Sequence, residues 1–417
     1  MDSDPSPMEI DTVYRDNNNN LEFGMRMARH IILKEIHTGR QENIVLSPMS
    51  LHAMLNMVAS GAKGRTLKQL LSFLESENIT RLNAQSSRIM DLEATSPDFL
   101  DSEKTLAEPN RGDDKRNEGP IVCFVNGIWV DRVFTIKPSF KSLAQDVYKA
   151  KAESVDFVNQ AEQVREEVNL WAKKATKGLI VDLLPHGFFN SNTILALANA
   201  LYFKGTWVHP FDTSRTRNED FHLLDGKTIK VPFMRMNYFN ILHFYGSFDG
   251  FKLLKLHYNK GKDNNKQYSM FIFLPDEKVG LQELMQKFNS DPSFLRENWD
   301  LQQVELSDMR IPKFKISYDF DVVEIMKKLG LDLIFVDTGD LSEIVDSSGY
   351  ISDAIHKAYI EVDEEGTVAA AVTVMAMAQQ ARYPPPPSFV ADHPFMFVIR
   401  EEMSRIVLFT GAVLNPL

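Results

Sequence analysis

Residues 360–400 read IEVDEEGTVAAAVTVMAMAQQARYPPPPSFVADHPFMFVIR, and they restrict the fold more than any other stretch of the chain. The segment opens as a strand over 358–362 and passes through an acidic turn, Asp363, Glu364, Glu365 and Gly366. Residues 367–377 then carry no charge, no Pro and no Gly, and the Pro run 384–387 breaks the pattern before a second strand over 395–399. Surface loops are normally polar, so a run of small and apolar residues between a Gly hinge and a Pro run suits a strand better than a loop. Alternation would place Thr367, Ala369, Ala371, Thr373, Met375 and Met377 on one face. A buried Ala/Met helix is the bland alternative, but Val368, Val372, Thr373 and Val374 favour strand. A transmembrane helix would need about twenty apolar residues, more than this run supplies.

Length alone would allow two or three domains in 417 residues, and an apolar content of 44% with 25% charged residues is that of a soluble globular chain. The net charge of −11 argues against a nucleic-acid surface, and Lys173-Lys174 reads as one solvated helix face. Cys123 is the single cysteine, so no internal disulfide can form. The first twenty residues lack the basic start and apolar centre of a secretory signal and are expected to form a disordered tail. The expected location is therefore cytoplasmic or nucleocytoplasmic, with unconventional export left open. Without a signal, the sequon Asn78-Ile79-Thr80 reads as an accident of sequence.

Leu21, Met25, Ala28, Ile32 and Ile36 share a helical face and predict a first helix over 21–37. Residues 43–46 form a short strand, after which Ser47 can cap a helix opened by Pro48 and closed at Gly61. Residues 95–119, rich in charge, Pro and Gly, read as a solvated loop or insertion. The apolar run 193–207 has the composition of a central strand covered on both faces. Further strands are expected at 121–124, 251–258, 268–274 and 310–319, and helices at 164–178 and 321–329. Helices and strands mix without regular alternation, so the class is α+β.

Ordered landmarks along this chain resemble the serpins, and most closely plant serpins of the Z type. The hinge Glu364-Glu365-Gly366-Thr367, followed by Ala369-Ala370-Ala371, fits the start of their reactive-centre loop, although Val368 stands where a Glu is usual. Phe389-Val390-Ala391-Asp392-His393-Pro394-Phe395-Met396-Phe397 fits their C-terminal signature. Shorter matches fall in order at 61–66, 199–207, 221–222, 273–276 and 311–314. The resemblance implies one serpin domain over 21–417, with three β-sheets, eight or nine helices and an exposed reactive-centre loop over 364–388. It implies a shutter of Asn43, Ser47, Pro48, Ser50, Asn199 and His356, and a breach at Lys204, Gly205 and Trp207. From spacing alone, the favoured reading is that Ser47 is only a helix cap and His356 only a satisfied core histidine; the resemblance reverses it.

Enzyme motifs give little. GxSxG, HExxH and CxxC are absent, and the ten histidines show no metal spacing. Gly226-Lys227-Thr228 reads as a hairpin turn, since Phe221 occupies the place of a phosphate loop's first Gly. Neither a cofactor nor a metal is expected. The resemblance implies a suicide-substrate inhibitor of serine or papain-like cysteine endopeptidases, with the target protease as covalent partner. It implies neither nucleic acid nor membrane as a partner. The chain is expected to be monomeric, with self-association through loop insertion possible in principle. A non-inhibitory binding or storage serpin is the alternative. Sixteen residues on from Glu364 lies Gln380, which puts the reactive bond at Gln380-Ala381, with Arg382-Tyr383 as the alternative.

Overall fold

The computed structural model describes residues 7–90, 119–176, 178–236, 241–261, 266–290, 299–347, 349–366 and 386–417. Among the described residues there are eight α-helices: α1 Pro7–Thr38, α2 Pro48–Ser60, α3 Gly64–Phe73, α4 Ile79–Met90, α5 Pro138–Asp146, α6 Phe157–Ala175, α7 Leu281–Ser290 and α8 Val322–Lys328. The strands are β1 Ile44–Leu46, β2 Ile121–Asp131, β3 Lys151–Val155, β4 Leu195–Lys204, β5 Arg217–His222, β6 Thr228–Arg235, β7 His243–Phe248 and β8 Phe251–His257. They continue as β9 Tyr268–Pro275, β10 Gln302–Val304, β11 Asp308–Pro312, β12 Phe314–Asp321, β13 Ile351–Val362, β14 Ser388–Val390, β15 Phe395–Glu401 and β16 Val407–Val413.

These strands form three sheets. The five-stranded sheet runs β12-β13-β4-β2-β3, the four-stranded sheet β14-β11-β6-β5, and the seven-stranded sheet β1-β16-β15-β9-β8-β7-β10. Strand β4 is almost wholly buried, as its unbroken apolar run predicts. Leu195 and Leu197 pack inward with Met54, Leu55 and Val58 of α2, while Leu201 and Phe203 meet the aromatic core of the seven-stranded sheet. Ala196, Ala198 and Ala200 face the other way, under Val164, Val168 and Ala172 of α6. The five-stranded sheet thus lies between a helix on one face and the main core on the other.

Helix α2 carries its own start and stop signals. Ser47 accepts the amide of Ser50, Pro48 fills the first helical position, and Gly61 closes the helix against Ile344, where a Cβ would lie 2.1 Å from the side chain. The expected disordered tail over 1–20 needs correction from residue 7 onward, because α1 begins at Pro7 rather than near residue 21; residues 1–6 lie outside the described residues. Pro7 suits a first turn, and no Gly or further Pro interrupts the chain until Gly24, so α1 runs on without a breaker through the run Asn17–Asn20. Most of the predicted insertion at 95–119 lies outside the described residues.

Candidate functional site

Strands β13 and β4 run side by side and parallel, with residues 351–359 in register with 195–202. A polar cluster is buried beneath this seam. His356 of β13 accepts the Ser47 amide at Nε2 (3.0 Å), so its proton sits on Nδ1 and is donated to Asn199 Oδ1 of β4 (2.6 Å). Burial pushes the His356 pKa down to about 3 and keeps the ring neutral. The same Asn199 oxygen accepts the Ser50 hydroxyl at 2.8 Å, and its amide donates to Asn126 Oδ1 and to the Ser50 carbonyl. Asn126 in turn donates to the Tyr148 carbonyl at 3.4 Å. One network therefore joins the start of α2 to β2, β4 and β13. The His356–Asn199 bond crosses the parallel seam.

Of the predicted shutter residues, Ser47, Ser50, Asn199 and His356 meet in this cluster, and Pro48 is buried beside it in the first turn of α2. Asn43 does not join them. Its Oδ1 accepts the amides of Leu414 (2.7 Å) and Asn415 (2.9 Å) and its amide donates to the Asn415 carbonyl, so it ties the start of β1 to the chain's C-terminal end. The physical reason is local, since Asn43 precedes β1, whose partner β16 delivers residues 414–415 beside it. Asn126 takes the place left open, and sequence reasoning missed it. The signal was a lone Asn inside the apolar strand 121–131, where a buried amide requires partners. On the outer face of the seam, Tyr202 and Tyr359 are direct partners and stack with centroids 5.8 Å apart.

Above the cluster, β13 ends in a tight acidic turn that lies against the end of β4. Asp363 and Gly366 exchange backbone hydrogen bonds at 3.0 and 3.3 Å, and the Glu365 amide bonds the Asp363 carboxylate at 3.0 Å. Trp207 holds this turn twice, through its amide to the Glu365 carbonyl (2.9 Å) and its indole Nε1 to the Asp363 carbonyl (3.0 Å). Its ring stacks on Tyr258 at 4.3 Å. Gly366 has φ +122° and sits so close to β4 that a Cβ would meet the Gly205 carbonyl at 2.3 Å, which explains the glycine. Gly205 in turn leaves room for the Tyr258 ring. Lys204 contributes its backbone, as the last residue of β4, paired with Ile121. Glu364 is buried between Lys313 Nζ (2.7 Å) and the Thr216 hydroxyl. Burial opposes its charge, but these two bonds outweigh burial and hold the carboxyl below its ordinary range.

The chain thus leaves the five-stranded sheet at Gly366 and is next described at residue 386, where it joins the four-stranded sheet through β14, parallel to β11. Past β14, His393 bridges the Asp392 carboxylate and the Pro275 carbonyl, both at 2.8 Å. The hinge residues Thr367, Val368, Ala369, Ala370 and Ala371 lie outside the described residues. So do the expected reactive bond Gln380-Ala381 and its alternative Arg382-Tyr383.

A parallel seam with a polar lock below, and a glycine turn from which the chain passes to another sheet, is the architecture of a serpin. The chain belongs to that family. Residues 18–416 match the family model described as Serpin (serine protease inhibitor). Among its relatives, Serpin-Z2A of Triticum aestivum is 41% identical over 400 residues, covering 95% of each chain. Serpin-ZX of Arabidopsis thaliana is 40% identical over 403 residues, covering 95% of this chain and 97% of its own. The solved native stressed conformation of Arabidopsis AtSerpin1 superposes with a TM-score of 0.82 at 38% identity, covering 97% of this chain and 98% of the other.

Proposed function

We propose that this chain inhibits serine or papain-like cysteine endopeptidases as a suicide substrate. The protease attacks the segment beyond Gly366 and forms an acyl-enzyme on the residue before the scissile bond, which we place at Gln380-Ala381. The freed segment then enters the five-stranded sheet before the acyl bond is hydrolysed, and the attached protease is dragged with it and deformed.

The observation that carries this reading is the parallel pairing of β13 with β4 directly below the hinge turn. A chain that reverses at Gly366 and lies between these strands runs antiparallel to both. One parallel ladder is replaced by two antiparallel ones, which are slightly the better paired per residue. About fourteen newly paired residues at ~0.5–1.5 kcal/mol per net hydrogen bond give on the order of 10 kcal/mol to drive the change. The same alternation puts Thr367, Ala369 and Ala371 on the inward face, where small side chains meet neither clash nor unpaired charge.

The test is a panel of trypsin-like, elastase-like and papain-like proteases. The expected result is a protease–inhibitor adduct that survives boiling in detergent, with release of a C-terminal peptide beginning at Ala381. Clean cleavage without an adduct by every protease that cuts the loop would move the chain to the non-inhibitory class.

A further inference from the structure

Over residues 23–38, helix α1 turns outward a face whose charged side chains are all basic. Phe23, Met27, Ala28, Ile31 and Ile32 are buried in the main core, and the one acid of this stretch, Glu35, is buried too. Arg26 and Lys34 are exposed, and His30, one turn from each, is half-buried. Helix α8 brings Lys327 and Lys328 alongside, both exposed. Glu324 lies between the two helices, 2.5 Å from Lys328 and 3.8 Å from Lys34, so one negative charge is shared by two ammonium groups. Arg26 and Lys327 are set over rings, with centroid distances of 4.7 Å to Phe73 and 5.7 Å to Phe335.

His30 registers the surplus of positive charge. Burial lowers its pKa, Lys328, Lys34 and Arg29 lower it further, and Glu324 alone acts the other way. The chain as a whole carries −11, so this face runs against the molecule's average. Arg26, His30 and Lys34 follow at four-residue steps, about 6 Å apart along the helix axis. An extended chain presents alternate side chains about 6.6 Å apart on one face, and so lies in step with this row. Exposed charges act over about 8 Å at physiological salt. A short acidic segment keeps all its charge within that reach of the row, whereas a nucleic acid or a lipid surface would carry most of its charge out over the acidic remainder of the molecule.

We propose that the α1–α8 face docks an extended acidic segment of a partner protein, with carboxylates at alternate positions. Its acids meet Arg26, His30 and Lys34 in turn, and Lys327 and Lys328 flank it from α8. None of these side chains takes part in the hinge turn or in the polar cluster beneath the seam, so the surface stands apart from the inhibitory site and is tested apart from it.

The probe is a fluorescein-labelled heptapeptide with Glu at every second position, titrated by anisotropy against the uncleaved full chain. The expected result is saturable one-to-one binding at about 20 mM salt that weakens about tenfold by about 200 mM, as the charges are screened. Lys34→Glu combined with Lys328→Glu should weaken it by about tenfold or more, because like charges then face each other. Lys173→Glu combined with Lys174→Glu changes the net charge equally on exposed positions of α6, and should leave the affinity within about twofold. Both variants should melt as the parent chain does, since exposed ion pairs contribute little. Three results would overturn the proposal: no saturable binding, equal weakening by the two double reversals, or tighter binding of an oligothymidylate of the same charge, which would make the face a nucleic-acid surface.

Discussion

Three buried imidazoles and the half-buried His257 shape the acid side of this molecule's stability. His52 and His356 are pushed down to about 3, and His243 and His257 to about 4, in each case mainly by burial, against an ordinary 6.5. Between those values and 6.5 the unfolded chain holds protons that the folded chain refuses. Stability is therefore complete above about pH 6.5 and falls as pH drops below it, by up to about 1.4 kcal/mol per pH unit for each ring. The melting temperature should decline steadily from about pH 6.5 to about pH 4.5, and a flat profile would contradict this. His52→Phe should reduce the slope, because both His52 nitrogens lack partners among the described residues and its ring already packs edge-on against Phe23. Much of the residue-level site was legible through the family resemblance and not through spacing, which left Ser47 a helix cap and His356 a core histidine, yet Ser47, Ser50, Asn199 and His356 do meet. Asn43 and Asn126 show the limit. Which of two asparagines reaches a cluster depends on strand pairing across the sheets, and no local pattern encodes that.

Among the elements, the β13–β4 seam has two fastenings, the His356–Asn199 bond below and the Tyr202–Tyr359 stack above. Both must part before a strand can pass between. An aromatic pair adds about 0.5–1.5 kcal/mol beyond burial, so Tyr359→Ala should lower the opening barrier by about 1 kcal/mol. That corresponds to about fivefold faster insertion. The rate at which a synthetic peptide of residues 367–380 anneals to the protein reports this directly; an unchanged or slower rate would exclude the stack as a fastening. Strand β4 was legible because a fully buried strand carries a continuous apolar run. The expected single strand at 310–319 was not legible as two. Lys313 breaks it, its amide turning to the Pro232 carbonyl (2.8 Å), so β11 joins the four-stranded sheet and β12 the five-stranded one. Both halves keep β alternation, and only the tertiary partner of Lys313 separates them.

For the molecule as a whole, the proposed function requires the present arrangement to be metastable, with a five-stranded sheet able to gain a strand. Cutting between Ala378 and Arg382 should raise the melting temperature by tens of degrees, since ~1 kcal/mol shifts a chain of this size by at most about 2–4 °C. An unchanged or lower value after a clean cut would argue that nothing inserts. The most direct measurement locks the seam itself. Ala200 and Lys357 are paired across it, within the Cα separation a disulfide spans, so Ala200→Cys with Lys357→Cys, in a Cys123→Ser background, closes it reversibly. When oxidised, the variant should be cut by the target protease without trapping it. When reduced, it should again form the detergent-resistant adduct. Undiminished adduct from the fully oxidised form would contradict the claim that the loop enters between β13 and β4.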